Sequence, residues 1–525
     1  RVISHGLNMS SLKETLAGFA DWLGHGQVHR ADAWVARLEI NQPEIEAFQA
    51  LASPNVAPYL ATPAALFPAD GDTAANPPSD AGQAPAFDAS TALKRAQAHP
   101  EWHIFITLAN PSAIKDGIAA QSQMPGLLAG MPVAIKDLMA VQGFPLTCGS
   151  GAGGTDPGQD ATVVARIRRA GGIVVGTTNL HELAYGITSD NPHHGRVVNP
   201  AAPDRIPGGS SGGSAAAIAA GMVVAAVGTD TAGSIRVPAA CCGIVGLKPS
   251  YGLLPVTGIA DLAPSLDHVG PMAATVEDCA RLFAAMAELP AMPAWRYSSL
   301  KGKRIAELGG YFDQPLDTEV RAAVKQAMGA AAQDGAACSR LELAGADMAP
   351  ALQFQTICPE ATAVDGEQLR DHPETLGEDV RVRLEIGNFL PGHLYVKAQR
   401  LRHVLARNFD DAFDNADFFL CATLRAPAPA VGAATVSIEG HNYPLHTAVT
   451  QLTLPFNLTG LPALSLPWTT SADGVPIAIQ IVGRRGTDWQ VLAVAERLQR
   501  LAPWRTQLSA RSSASISKKE GHAPS

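Results

Sequence analysis

The segment Pro207-Gly208-Gly209-Ser210-Ser211-Gly212-Gly213-Ser214-Ala215-Ala216-Ala217 decides between two architectures. Gly208, Ser210 and Gly212 spell G-x-S-x-G, the nucleophile elbow of an α/β hydrolase, which requires a strand immediately before it. What precedes it is Asn199-Pro-Ala-Ala-Pro-Asp-Arg-Ile-Pro207. Three prolines in nine residues remove the backbone donors that a central strand needs, so the elbow is a decoy. The glycines instead allow backbone conformations closed to other residues. The Ala-rich stretch that follows reads as a helix whose positive end faces the loop. A phosphate-binding glycine loop uses the same physics, but no Walker lysine follows here.

Two flanking segments give the serines a context. Downstream, Gly228-Thr-Asp230-Thr231-Ala232-Gly233-Ser234-Ile-Arg236 continues an apolar run into consecutive small residues. Small residues let backbone N–H groups crowd towards one point, as an oxyanion hole requires. Upstream, Gly130-Met-Pro-Val-Ala-Ile-Lys136-Asp137 places a lysine at the end of a β-like run. Side chains alternate along a strand, so Lys136 and Asp137 need not pair. Burial disfavours the charged ammonium, and a desolvated Lys136 becomes a base near neutral pH.

Around these segments, Pro132–Ile135, Ile173–Thr177 and Val223–Val227 read as strands alternating with helices at Thr162–Ala170 and Gly213–Gly221. Further strands are expected in Lys303–Leu308, Ala463–Thr469 and Pro476–Gly483, with helices over Asp317–Gln333 and Asp488–Leu501. That alternation predicts an α/β core with an internal sheet. Residues 10–95 form an expected N-terminal helical region, including a Pro/Ala/Gly-rich loop at 68–90. Residues 96–505 form the core, and 506–525 a polar, disordered tail. Met9 is a candidate start.

Hydrophobic residues make up 46% and charged residues 17% of the 525, ample material for a large core. A net charge of −9 and the lack of a Lys/Arg stripe argue against intrinsic nucleic-acid binding. Seven scattered cysteines without CxxC spacing suggest neither a disulfide framework nor a zinc site, and fit a reducing cytoplasm. The most apolar run, Ala215–Val227, is 13 residues long and reads as a buried helix, since a membrane span needs about 20. His181-Glu182 lacks the second histidine of a zincin, because Tyr185 stands there. His193-His194 reads as a loop pair.

Together the three segments resemble the amidase signature family of Ser–cis-Ser–Lys amide hydrolases. The likeness continues through Cys242-Gly-Ile-Val-Gly-Leu-Lys-Pro-Ser, Ser265-Leu-Asp-His-Val-Gly-Pro and Phe456-Asn-Leu-Thr-Gly-Leu-Pro-Ala-Leu-Ser-Leu-Pro, covering roughly residues 95–500. The resemblance implies one α/β domain around a twisted mixed sheet of about eleven strands. It assigns Lys136 as general base, Ser210 as bridging serine after a cis peptide from Gly209, and Ser234 as nucleophile. The N–H groups of Thr231, Ala232, Gly233 and Ser234 would line the oxyanion hole, with Gly209, Ser211, Asp230 and Arg236 in support. Ala232 stands where relatives often have Gly, Cys241 where an aromatic is common, and Cys421–Pro427 departs from a Pro-Thr-x-Pro pattern.

The expected activity is hydrolysis of a small-molecule amide, urea or carbamate through a serine acyl-enzyme. No cofactor, metal, nucleic acid or membrane is called for, and a homodimer is allowed. The alternative within the family is a glutaminase resembling the A subunit of an amidotransferase, working with partner subunits and tRNA. The acidic balance and the 68–90 loop favour the stand-alone enzyme. From another class, Gly208–Gly213 could serve a nucleotide-binding module.

Overall fold

The computed structural model describes residues 87–123, 126–313 and 315–504. The N-terminal region up to residue 86, including Met9 and most of the 68–90 loop, lies outside the described residues, as does the tail at 506–525. Eleven strands form one mixed sheet: β1 (Phe105–Leu108), β2 (Pro132–Lys136), β3 (Ile173–Thr178), β4 (Ala225–Asp230), β5 (Val245–Lys248), β6 (His268–Ala273), β7 (Arg304–Leu308), β8 (Ala337–Leu341), β9 (Phe418–Ala422), β10 (Ala463–Thr470) and β11 (Pro476–Gly483). Their order across the sheet is β1-β3-β2-β4-β6-β5-β10-β11-β9-β7-β8. Thirteen α-helices among the described residues surround it. The expected single α/β domain with a sheet of about eleven strands is what forms.

The parallel neighbours β3, β2 and β4 carry the site. All five residues of β2 and all six of β4 are buried, as expected for parallel strands covered on both faces. Ala226 lies beside Ala134 and Val227 beside Ile135, so the end of β4 lies next to Lys136. Helix Gly212–Ala219 packs against these strands, and its Ala215, Ala216, Ala217 and Ile218 are buried. Small side chains let the helix approach closely. A Cβ on Gly213 would lie 2.2 Å from the Asn179 carbonyl oxygen.

The run Ala215–Val227 is not one buried helix. The helix stops at Ala219, Gly221 turns the chain with φ +66°, and β4 begins at Ala225. A left-handed glycine past the last helical turn is a helix stop, and Val223-Val224 favour extended backbone after it. Helix Ala89–Gln97 buries Ala89, Ala92, Leu93 and Ala96 in the main core, so the core begins before residue 96.

A further group of helices shares an apolar cluster with the segments that follow β2 and β3. Helix Ala349–Asp371 packs against helices Glu378–Gly387 and Gly392–Ala412. Ala361, Leu376, Val380 and Leu384 meet Leu138, Leu180, Leu183 and Leu262 in one apolar cluster. No helix among the described residues is long and apolar enough to cross a membrane.

Candidate active site

Lys136, at the end of β2, is fully enclosed. Its Nζ donates to Ser210 Oγ at 2.7 Å and to Thr229 Oγ1 at 2.7 Å. Burial drives its pKa down to about 7, against the opposing charges of Asp267 and Asp230. Desolvation at a strand end, the cause expected from the sequence, is the one that acts on this lysine.

Ser210 follows a cis peptide from Gly209. Its carbonyl accepts from His181 N–H at 3.1 Å, and Ser189 Oγ donates to the Gly208 carbonyl at 2.9 Å. The stretch before Gly208 is irregular, as the prolines require. Three of the glycine-loop donors are already engaged. Ser211 N–H binds the Ser234 carbonyl at 3.2 Å, Gly212 N–H binds Ser189 Oγ at 3.2 Å, and Gly213 N–H binds the Asn179 carbonyl at 3.1 Å. A phosphate would find none of these three free, which counts against a nucleotide-binding loop.

Ser234 sits in the turn between β4 and helix Arg236–Cys242. It is 6% exposed while Lys136 and Ser210 are at 0%, so it alone of the three reaches solvent. The preceding turn is built around Asp230. Its carboxylate accepts from Gly233 N–H (2.9 Å), Ile235 N–H (3.2 Å) and Asn457 Nδ2 (2.8 Å). Arg236 clamps it through Nε at 3.0 Å and Nη2 at 2.9 Å. Burial alone would raise the Asp230 pKa, but the Arg236 charge and these hydrogen bonds hold it well below the usual carboxylate range. Arg236 also reaches Gln480 Oε1 (2.7 Å), Asn457 Oδ1 (2.6 Å) and the Thr453 carbonyl (3.1 Å). A fully buried ion pair is tolerated when its remaining donors and acceptors are satisfied in this way.

Of the four N–H groups expected to line a hole, that of Gly233 is committed to Asp230. Those of Thr231, Ala232 and Ser234 take no acceptor among the described residues. Gly233 instead supplies geometry: its φ is +132°, and a Cβ there would lie 2.3 Å from Thr453 Oγ1. Ser211 Oγ ties the loop to β4 through the Thr229 carbonyl at 3.2 Å.

Two polar contacts escaped sequence reading. Thr229 has no motif of its own to mark it, although alternation along β4 turns it away from Asp230. One face of the strand thus meets Lys136 and the other Arg236. Asp267, inside Ser265–Pro271, accepts from Thr231 Oγ1 at 2.5 Å. A cleft lined by Leu138, Thr229, Thr231, Asp261, Leu262 and Asp267 lies beside them.

The other polar pairs have structural partners. His181 bonds Asp379 (2.9 Å), and His193 bonds Glu182 (3.1 Å). Cys241 and Cys242 fill the core behind the Ser234 turn, and burial pushes the Cys241 thiol up to about 12.

The family model for amidases matches residues 89–492. The chain belongs to the amidase family. This family member is 35% identical over 454 residues to the A subunit of the glutamyl-tRNA(Gln) amidotransferase of Cyanothece sp., covering 78% of this chain and 93% of that one. It superposes on a crystal structure of an amidase with a TM-score of 0.75 and 32% identity, over 79% of this chain and 96% of that one. For the A subunit of the Thermotoga maritima glutamyl-tRNA(Gln) amidotransferase the TM-score is 0.67, with 30% identity and coverage of 79% and 91%. Amide C–N chemistry is therefore the class to which the site belongs.

Proposed function

We propose that this amidase-family chain cleaves a carboxamide C–N bond through an acyl-enzyme on Ser234, with Ser210 as relay and Lys136 as base. The observation that carries the reading is the 2.7 Å contact between Lys136 Nζ and Ser210 Oγ in a closed environment. A neutral lysine has two N–H groups and one lone pair. With one N–H directed to Thr229, the lone pair can take the Ser210 proton while Ser210 takes that of Ser234. Ser234 Oγ then adds to the carbonyl carbon. The oxyanion faces the N–H groups of Thr231, Ala232 and Ser234, a preorganised arrangement that costs no rearrangement during reaction. Collapse breaks the C–N bond, and the amine leaves with a proton returned through Ser210. Water reverses these proton transfers and releases the acid.

The curated relatives favour one form of this chemistry over the stand-alone amidase expected from the sequence. They are A subunits of glutamyl-tRNA(Gln) amidotransferases, which supports release of ammonia from glutamine for a partner protein in a tRNA-dependent reaction. The acidic balance and the 68–90 loop are weaker grounds than identity over three-quarters of the chain. The second reading, hydrolysis of a free small-molecule amide, is supported by the likeness to the amidase structure. Ammonia release from glutamine, measured alone and with amidotransferase partner subunits and tRNA, tests the first form. Stimulation by partners is expected. Turnover of simple aliphatic or aryl amides alone, with glutamine inert in both settings, would overturn it in favour of the second.

A further inference from the structure

Asp267 lies just before β6 and touches no residue of the Lys136–Ser210–Ser234 set by hydrogen bond, yet it grips the turn that carries Ser234. Its Oδ1 accepts from Thr231 Oγ1 at 2.5 Å. Its Oδ2 accepts from Leu262 N–H at 2.8 Å and Ala263 N–H at 2.9 Å. The carboxylate thus bridges the 262–263 loop to the first residue of the nucleophile turn. Gln353 Nε2 holds the same residue from the other side, through the Thr231 carbonyl at 3.1 Å. Thr231 is consequently fixed at both its side chain and its backbone, with its N–H left unpaired.

Asp267 lines the same cleft as Thr229, the residue that Lys136 Nζ bonds, so its charge also bears on the lysine. Among the carboxylates acting on Lys136 it is the largest opponent of burial, ahead of Asp230. Asp230 is tied to Arg236, and Asp137 turns to Thr147. Burial raises Asp267 itself to about 6, against the hydrogen bonds from Thr231, Leu262 and Ala263 that favour its charged form.

We propose that Asp267 is a positioning residue for amide cleavage, aligning the Thr231 N–H for the developing oxyanion and placing a negative charge opposite Lys136. The proposal rests on the acyl-enzyme reading above. Two variants separate its parts. Thr231→Val removes only the hydroxyl, and kcat should fall roughly ten- to a hundredfold, as for a misplaced catalytic group. KM should change little, and the acid limb of the kcat–pH profile should stay in place. Asp267→Asn should lower kcat similarly and also move that limb to lower pH, because Lys136 loses a charge that favours its protonated form.

Fluorophosphonate labelling of Ser234 and far-UV circular dichroism on each variant separate damage to the fold from damage to the reaction. An unlabelled Ser234 in the unsubstituted protein would remove the acyl-enzyme reading itself. Labelled, folded Asp267→Asn with unchanged kcat, or with an unmoved acid limb, would overturn the role of Asp267. An unchanged kcat in Thr231→Val would remove the alignment part.

Discussion

Lys136 Nζ and Ser210 Oγ meet at 2.7 Å although 74 positions separate them in the chain. The contact joins the end of a buried strand to a glycine loop that enters a helix, and both residues are closed to water. A lysine here is poised between protonation states by its surroundings, because burial has brought its pKa to about 7.

That value predicts the pH dependence of turnover. The base must be neutral, so kcat should rise as pH climbs through about 7 and level off above it. Lys136→Ala should lose about 10²–10⁴-fold in kcat. Lys136→Arg should be as poor, because guanidinium stays protonated throughout. Steady-state pH profiles of the three proteins check this, and an active arginine variant would exclude base catalysis at this position.

Asp230 and Arg236 make a separate prediction about stability. Removing one partner of a buried pair leaves an uncompensated charge, at a cost of about 3–5 kcal/mol. Arg236→Met should show that loss in denaturant titration near neutral pH. The sign with pH follows from the depressed Asp230 pKa. Its contribution is complete above the ordinary carboxylate value of 3.8 and is lost as pH falls towards the folded-state value. The unsubstituted protein should therefore lose part of its advantage over Arg236→Met below about pH 4.

Gly233→Ala tests the shape of the turn. The new Cβ meets Thr453 Oγ1 at 2.3 Å, and φ stays near +132°. We expect a stability loss of about 1–3 kcal/mol and a fall in kcat of about a hundredfold. Adding Thr453→Ala should recover only part of both, because it relieves the contact but not the backbone conformation. Full recovery would assign the whole effect to crowding.

Much of this was legible in the sequence because local chemistry and the final packing agree. The prolines at 200, 203 and 207 exclude a strand before Ser210, and the chain there is irregular. Apolar runs ending in Lys136 and Asp230 became β2 and β4. The run at 215–227 misleads only when taken whole: the helix expected at 213–221 and the strand expected at 223–227 both form, separated by a turn at Gly221. Strand Ala337–Leu341 has no apolar signature, since it lies at the sheet edge and is largely exposed. Thr229, Asp267 and Gln353 act through long-range contacts, which no local pattern announces. Helix Ala349–Asp371, more than 200 positions away, shares an apolar cluster with Leu138, two residues beyond Lys136.

The most direct test of the account is to trap the acyl-enzyme and map it. A fluorophosphonate or a slowly released amide substrate is incubated with the unsubstituted, Ser210→Ala and Ser234→Ala proteins, and the adduct is located by peptide mass spectrometry. The account predicts modification of Ser234 in the unsubstituted protein, much slower modification of the same residue in Ser210→Ala, and none in Ser234→Ala. An adduct on Ser210, or labelling that persists in Ser234→Ala, would contradict it.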